Sequence, residues 1–201
     1  MAQADAESSY AVDLLVVCTA NQARSPVAEM LFRREAEARR GDQHGLVIRS
    51  AGLHAKPGAR LLAAMVAAMD KRGLTFDDHR SRAVNVDELD ASRLVITMTE
   101  EHRREVNRML PAMVGRTYTL CEVDRLVSSE LWQSTWDGAD DAMERLQRLR
   151  PLVPKAPQAE DIADPAGHSV DLAVHILDEI VDRVTRVSHH LFGTVQAEVS
   201  A

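Results

Sequence analysis

Aromatic residues are scarce in this chain: two Trp, two Tyr and three Phe among 201 residues. Its core must therefore be filled mainly by Val, Leu, Ile, Met and Ala. Cysteine is nearly absent too, and two cysteines do not make a disulfide framework in a chain of this size. Surplus basic charge is missing: 24 Lys and Arg face 31 Asp and Glu, for a formal charge of −7. That balance argues against a general nucleic-acid binder, which needs Lys and Arg to neutralise phosphates. No apolar run approaches the roughly 20 residues of a membrane span. Met1 to Tyr10 carries Asp5 and Glu7 and has neither the basic nor the apolar region of a secretory signal. The expectation is a cytoplasmic protein with no nucleic-acid or membrane partner. What is present is an ordinary globular composition, long enough for one domain with a full core over 1–201.

Short β-branched runs alternate with helical patterns. Val12 to Val17, interrupted by Asp13, reads as a buried strand. Ser25-Pro26 then marks a helix start, with Ser at the N-cap and Pro at the first helical position. Val27, Met30 and Leu31 share a face of that helix, and Arg39-Arg40-Gly41 closes it. Leu46-Val47-Ile48 is a second strand, ending at Ser50-Ala51-Gly52. Leu61, Leu62, Met65, Val66 and Met69 keep a helical period. Leu94-Val95-Ile96 is a third strand, Thr99 caps a helix that stops before Pro111, and Thr117 to Cys121 is a fourth strand. Leu126 to Leu131 and Ala142 to Leu149 read as short helices, with Trp132 and Trp136 between them. Pro151, Pro154 and Pro157 then force an extended connection. Ser169 caps a final helix with an apolar face of Leu172, Ile176, Ile180, Val184 and Val187. Residues 1–10 and 193–201 read as mobile ends, and 122–160 as an extra helical and Pro-rich segment. The pattern predicts an α/β three-layer sandwich around a four-stranded parallel sheet. Ligands of such sheets bind at the carboxyl ends of the strands.

Cys18 stands at such an end. Between it and the Ser-Pro helix start lies Thr19-Ala20-Asn21-Gln22-Ala23-Arg24. A loop that joins a strand to a helix N-terminus turns backbone N–H groups inward and binds anions. Cysteine, arginine six positions on and then a hydroxyl residue place a thiolate nucleophile at the floor of an oxyanion cup. Cys121 is an internal control, because Val127 occupies the corresponding position. The plainer alternative for Cys18 is a small buried hydrophobe at a strand end. His189-His190 suit the negative end of the last helix dipole rather than a metal, and Arg33-Arg34 and Arg103-Arg104 read as solvated helix faces.

Cys18 to Arg24 followed by Ser25-Pro26 resembles the signature of the low-molecular-weight protein tyrosine phosphatases. Four further segments follow that family's order. Ser50-Ala51-Gly52 is similar to its Ser-Ala-Gly turn, and Asp78-His79-Arg80-Ser81-Arg82 to its His-x-x-Arg segment. Leu94 to Met98 resembles its third strand, and Asp164-Pro165 its late Asp-Pro loop. The resemblance implies a flavodoxin-like architecture and a phosphomonoesterase, foremost a protein tyrosine phosphatase, without metal or cofactor. The substrate is then a phosphorylated protein, foremost one carrying phosphotyrosine, or a small phosphomonoester. Several positions depart from the family. Ala23 replaces a second loop cysteine, so Cys18 lacks a neighbouring thiol to protect it from over-oxidation. Ala20 replaces a common glycine. Ala166, Gly167 and Lys56 stand where aromatic walls are frequent.

In this reading Thr19 to Ser25 bind phosphate and the Arg24 fork holds two phosphoryl oxygens. Cys18 attacks phosphorus. Asp164 protonates the leaving oxygen, with Asp161 as its rival. Ser25 steadies the thiolate, and Asn21 takes a left-handed conformation that Asn tolerates. The resemblance implies that Ser50 and His79 hold Asn21. Trp132 and Trp136 are either core residues or, if 122–160 folds towards Asp164, a replacement aromatic wall. Two other functions share the loop: an arsenate reductase using an external small thiol, and a non-catalytic phosphate-binding module.

Overall fold

Alternate residues of the first strand enter two different cores. The structure is a computed structural model that describes residues 12–41, 45–76, 78–134, 141–155 and 161–193. In β1 (Val12–Cys18), Leu14, Val16 and Cys18 join one apolar cluster while Leu15 and Val17 join the other. A strand buried on both faces reads as a continuous apolar run rather than an alternating one, which is why Val12 to Val17 looks as it does.

β1 pairs in parallel with β2 (Ile48–Gly52) and β3 (Ser92–Thr97), and β3 pairs with β4 (Thr117–Thr119), giving the order β2-β1-β3-β4. One face carries α1 (Arg24–Arg40), α2 (Ala63–Lys71), α5 (Leu120–Val127), α7 (Ala142–Leu149) and α8 (Val170–Leu191). The other carries α3 (Val86–Asp90), α4 (Glu100–Met109) and a 3₁₀ turn, Pro111–Met113. A short α6 (Glu130–Ser134) lies between α5 and α7. The expected three-layer α/β sandwich is therefore observed, and its core is aliphatic apart from Phe32, Tyr118, Trp132 and Phe192.

Several boundaries differ from those expected. Helix α1 starts at Arg24 with Ala23 at the N-cap and no side-chain cap. Ser25 is inside the helix because its hydroxyl is turned to Cys18 instead. The second strand is Ile48–Gly52 rather than Leu46–Ile48: pairing from Leu14↔Ile48 to Cys18↔Gly52 draws the small Ser-Ala-Gly residues into the ladder. Leu61 and Leu62 precede α2, and the Leu62 amide is used by the Gln22 carbonyl. The fourth strand ends at Thr119, whose hydroxyl accepts the Glu122 amide and starts α5, so Leu120 and Cys121 are helical. The helix expected over Leu126 to Leu131 is interrupted at Ser128-Ser129, where Ser129 accepts the Trp132 amide. Helix α3, capped by Asn85, was not anticipated because five residues are too short for a period. Thr99 and Ser169 cap α4 and α8 as expected. The end segments 1–10 and 194–201, with Trp136 and Pro157, lie outside the described residues.

The segment after β4 is tied down by buried charge. Arg150 donates to both carboxylate oxygens of Glu122, at 2.8 and 3.0 Å, and lies over the Tyr118 ring. Asp124 accepts from Arg183 and Arg186 of α8. Trp132 is 3% exposed, and its indole N–H donates to His190 Nδ1 at the C-terminal end of α8.

Candidate active site

The turn between β1 and α1 wraps its carbonyls outward. Those of Cys18, Thr19 and Gln22 accept from the amides of Leu53, His54 and Leu62, and that of Asn21 accepts from His79 Nε2 at 2.7 Å. The amides of Ala20 to Ala23 meet no backbone acceptor among the described residues. They lie at the N-terminus of the 17-residue α1, the kind of place where a loop can take an anion. Gly52 permits the close approach: a Cβ there would stand 2.7 Å from the Thr19 carbonyl and 2.8 Å from the Asn21 amide.

Asn21 is the hinge of the cup. Its φ is 53°, left-handed, at a cost on the order of 1–3 kcal/mol for a residue with a Cβ. Every polar atom of its side chain is used against that cost. Nδ2 donates to Ser25 Oγ at 3.0 Å and Ser50 Oγ at 2.8 Å, and Oδ1 accepts the Arg82 amide at 3.0 Å. Ser50 donates in turn to Glu29 Oε2 at 2.6 Å. The Ser25 hydroxyl is 3.0 Å from Cys18 Sγ, which is buried at the floor.

A distant segment completes the cup. Arg24 Nη2 donates to Asp164 Oδ2 at 2.6 Å and Nη1 to the Ile162 carbonyl at 3.0 Å. The Ile162 amide donates to the Met98 carbonyl just past β3, which fixes the segment before α8 against the sheet edge. The Asp164 side chain is 47% exposed, so it is open to a ligand and to water. Asp161, the rival carboxylate, is engaged elsewhere: its Oδ1 accepts the Glu100 amide at the start of α4.

The structure thus brings Cys18, Thr19 to Ser25, Ser50, His79 and Asp164 together. It does not bring Trp132 to them. Trp132 packs at the far end of α8, about 30 Å of helix from Asp164 at 1.5 Å per residue. Ala166, Gly167 and Lys56 are exposed, and the Ala166 amide donates to Asp164 Oδ1. Sequence reasoning missed three supports: Glu29, Arg82 and His102. Glu29 lies four positions after Ser25 on the same helix face, a signal that was available. His102 lies in the first turn after β3, at the carboxyl edge where ligands of such sheets bind. Its Nε2 is 2.9 Å from Thr19 Oγ1. Burial, with the nearby Arg24 cation, pushes its pKa down to about 4, so the ring is neutral near pH 7.

A family model described as low molecular weight phosphotyrosine protein phosphatase matches residues 13–134. The protein-arginine-phosphatase of Bacillus subtilis is 31% identical over 111 residues, 55% of this chain and 71% of that protein. The low molecular weight protein-tyrosine-phosphatase Etp of Escherichia coli K12 is 33% identical over 106 residues, 52% of this chain and 66% of its own length. Among solved structures, the tyrosine phosphatase Wzb from Escherichia coli K30, in complex with sulphate, superposes with a TM-score of 0.64 at 20% identity. It covers 89% of this chain and 97% of its own. No described helix is long and apolar enough to cross a membrane.

Proposed function

The chain belongs to the low molecular weight phosphotyrosine protein phosphatase family and is a cysteine-dependent phosphatase, and from that premise we propose the roles of its residues and its substrate. The substrate phosphoryl group occupies the cup, held by the amides of Ala20 to Ala23 and by the Arg24 fork. Cys18 attacks phosphorus and the ester oxygen leaves, giving a cysteinyl-phosphate. Asp164 gives its proton to the leaving oxygen, then takes one from the water that releases phosphate. Ser25 donates to the departing thiolate. Asn21, held by Ser50, His79 and Arg82, keeps the amides in place. One observation carries this reading: a carboxylate 140 residues from Arg24 in sequence lies 2.6 Å from its guanidinium, above the nucleophile's loop.

We assign a phosphorylated protein side chain as substrate, phosphotyrosine foremost, and a cytoplasmic setting suited to two free cysteines. Phosphoarginine is a second reading. It is favoured by the name of the Bacillus relative and by the small Ala166 and Gly167 that follow Asp164-Pro165. An arsenate reductase that resolves through a second thiol of its own is disfavoured because Cys121 is buried in α5; the form that uses an external small thiol is tested directly by the assay below.

Wild type and Cys18→Ser are to be assayed on phosphotyrosine, phosphoarginine and phosphoserine peptides, and on arsenate with a small thiol. The expected result is release of phosphate from the tyrosine peptide by wild type alone. Faster release from phosphoarginine would move the substrate, and hydrolysis of no phosphopeptide would overturn the reading.

A further inference from the structure

The Arg24 guanidinium has three acceptors in the resting site, and one of them, Asp164, must leave it for the reaction. Nη2 donates to Asp164 and, at 3.3 Å, to Thr19 Oγ1; Nη1 donates to the Ile162 carbonyl. When substrate arrives, Asp164 must turn to the leaving oxygen, and the guanidinium must turn to the phosphoryl oxygens. The Ile162 carbonyl and Thr19 Oγ1 need not move; Thr19 Oγ1 is the side-chain acceptor of the two, and His102 Nε2 stands behind it at 2.9 Å.

His102 is 7% exposed, and its Nδ1 is buried with no partner among the described residues. Buried polar atoms are seldom left so, because the lost hydration is not recovered. Thr19 Oγ1 already accepts from Arg24, so the hydroxyl hydrogen is free to point at His102. With Nδ1 unpartnered among the described residues, Nε2 is the ring nitrogen that engages the site, accepting the Thr19 hydroxyl or donating to its second lone pair.

We propose that His102 is a positioning residue of this phosphatase site, fixing the Thr19 hydroxyl as the side-chain acceptor that keeps Arg24 aimed at the phosphoryl group after Asp164 lets go. The inference rests on the phosphatase reading above. The groups facing the ring are Arg24 from α1, Asp161 and Asp164 from the segment before α8, and His54 from the turn after β2. His54 is itself paired with Glu105 of α4. A protonated ring would donate to Thr19 Oγ1, and it would repel Arg24. An oxyanion in the cup offsets the Arg24 charge and so eases protonation of the ring.

The test combines a thermodynamic cycle with a spectroscopic readout. His102→Leu, His102→Gln, Thr19→Val and His102→Leu/Thr19→Val are compared on an aryl phosphate, with tungstate as competitive inhibitor. His102→Leu is expected to lower kcat/KM and weaken tungstate by roughly tenfold each. His102→Gln restores most of both, since its amide reaches the place of Nε2. The double variant is no worse than Thr19→Val alone, because the two residues act through one contact. In wild type, the His102 ring resonances are expected to titrate at higher pH with saturating sulfate than without. Additive losses, Gln no better than Leu, or ring resonances indifferent to sulfate would each overturn the proposal. Should a variant fail to fold, the sulfate titration of wild type decides alone. Absence of any phosphatase activity in wild type would instead sink the functional reading, and the sulfate shift would still report whether His102 senses the cup.

Discussion

Asp161 and Asp164 are the same residue type three positions apart, and their surroundings separate them. Asp161 accepts the Glu100 amide at the start of α4, while Asp164 faces Arg24 and remains half open to solvent. Asp164→Ala is expected to lower kcat on an aryl phosphate by about 10²–10⁴-fold, the usual worth of a general acid. Asp161→Ala should leave kcat within a few-fold and cost about 1 kcal/mol of stability, as loss of a helix cap does. Parallel turnover and urea-denaturation measurements on the two variants check the assignment, and the reverse pattern would exchange their roles. Ser25 makes a related point. Sequence pattern marks it as a cap, yet its hydroxyl serves Cys18 and Asn21, because in this fold the helix begins two residues earlier.

At the level of elements, α5 is the piece that joins the segment after β4 to the rest. Glu122, almost fully buried, receives Arg150 on both oxygens and Arg103 on one. Removing one partner of a buried charged pair strands the others, and the cost outweighs the modest net worth of the intact pair. Glu122→Gln is therefore expected to destabilise the protein by on the order of 2–4 kcal/mol. The urea midpoint should fall while KM on an aryl phosphate stays near wild type, since these groups do not line the cup. The same segment places Trp132 against His190 and Arg145 rather than near Asp164. In a Trp136→Phe background, Trp132 emission should be unchanged at saturating vanadate; quenching would bring that indole back to the site.

Across the whole molecule, histidine burial makes stability depend on pH. His102 is held at about 4 by burial and by Arg24, and His190 is also held below its usual value, chiefly by burial. The unfolded chain binds protons at both positions near pH 6.5, and the folded chain does so only at lower pH. Unfolding therefore takes up protons between about pH 6.5 and 4, and stability falls as pH drops through that window. Each group contributes a slope of at most about 1.4 kcal/mol per pH unit. Urea midpoints at pH 7.0 and 5.0 are expected to show the drop, and His102→Gln should reduce it; a flat profile would contradict the neutral burial of these rings.

The local signals were sufficient for much of this protein. A doubly buried strand ending in Cys18, with arginine six residues on at a helix start, places the thiol at a strand-to-helix turn, as observed. The aliphatic core follows from the scarcity of rings. The caps at Thr99 and Ser169 were equally legible, because a capping side chain acts within three residues. Boundaries at β2 and β4 were not, since pairing with a neighbouring strand decides where a strand stops. Tertiary structure alone decided that Glu29 braces Ser50 and that His102 stands behind Thr19, and it set Asp164, which resemblance favoured over Asp161, against Arg24. Each depends on where a residue far along the chain is set down by packing, a matter on which spacing in sequence carries no distance information.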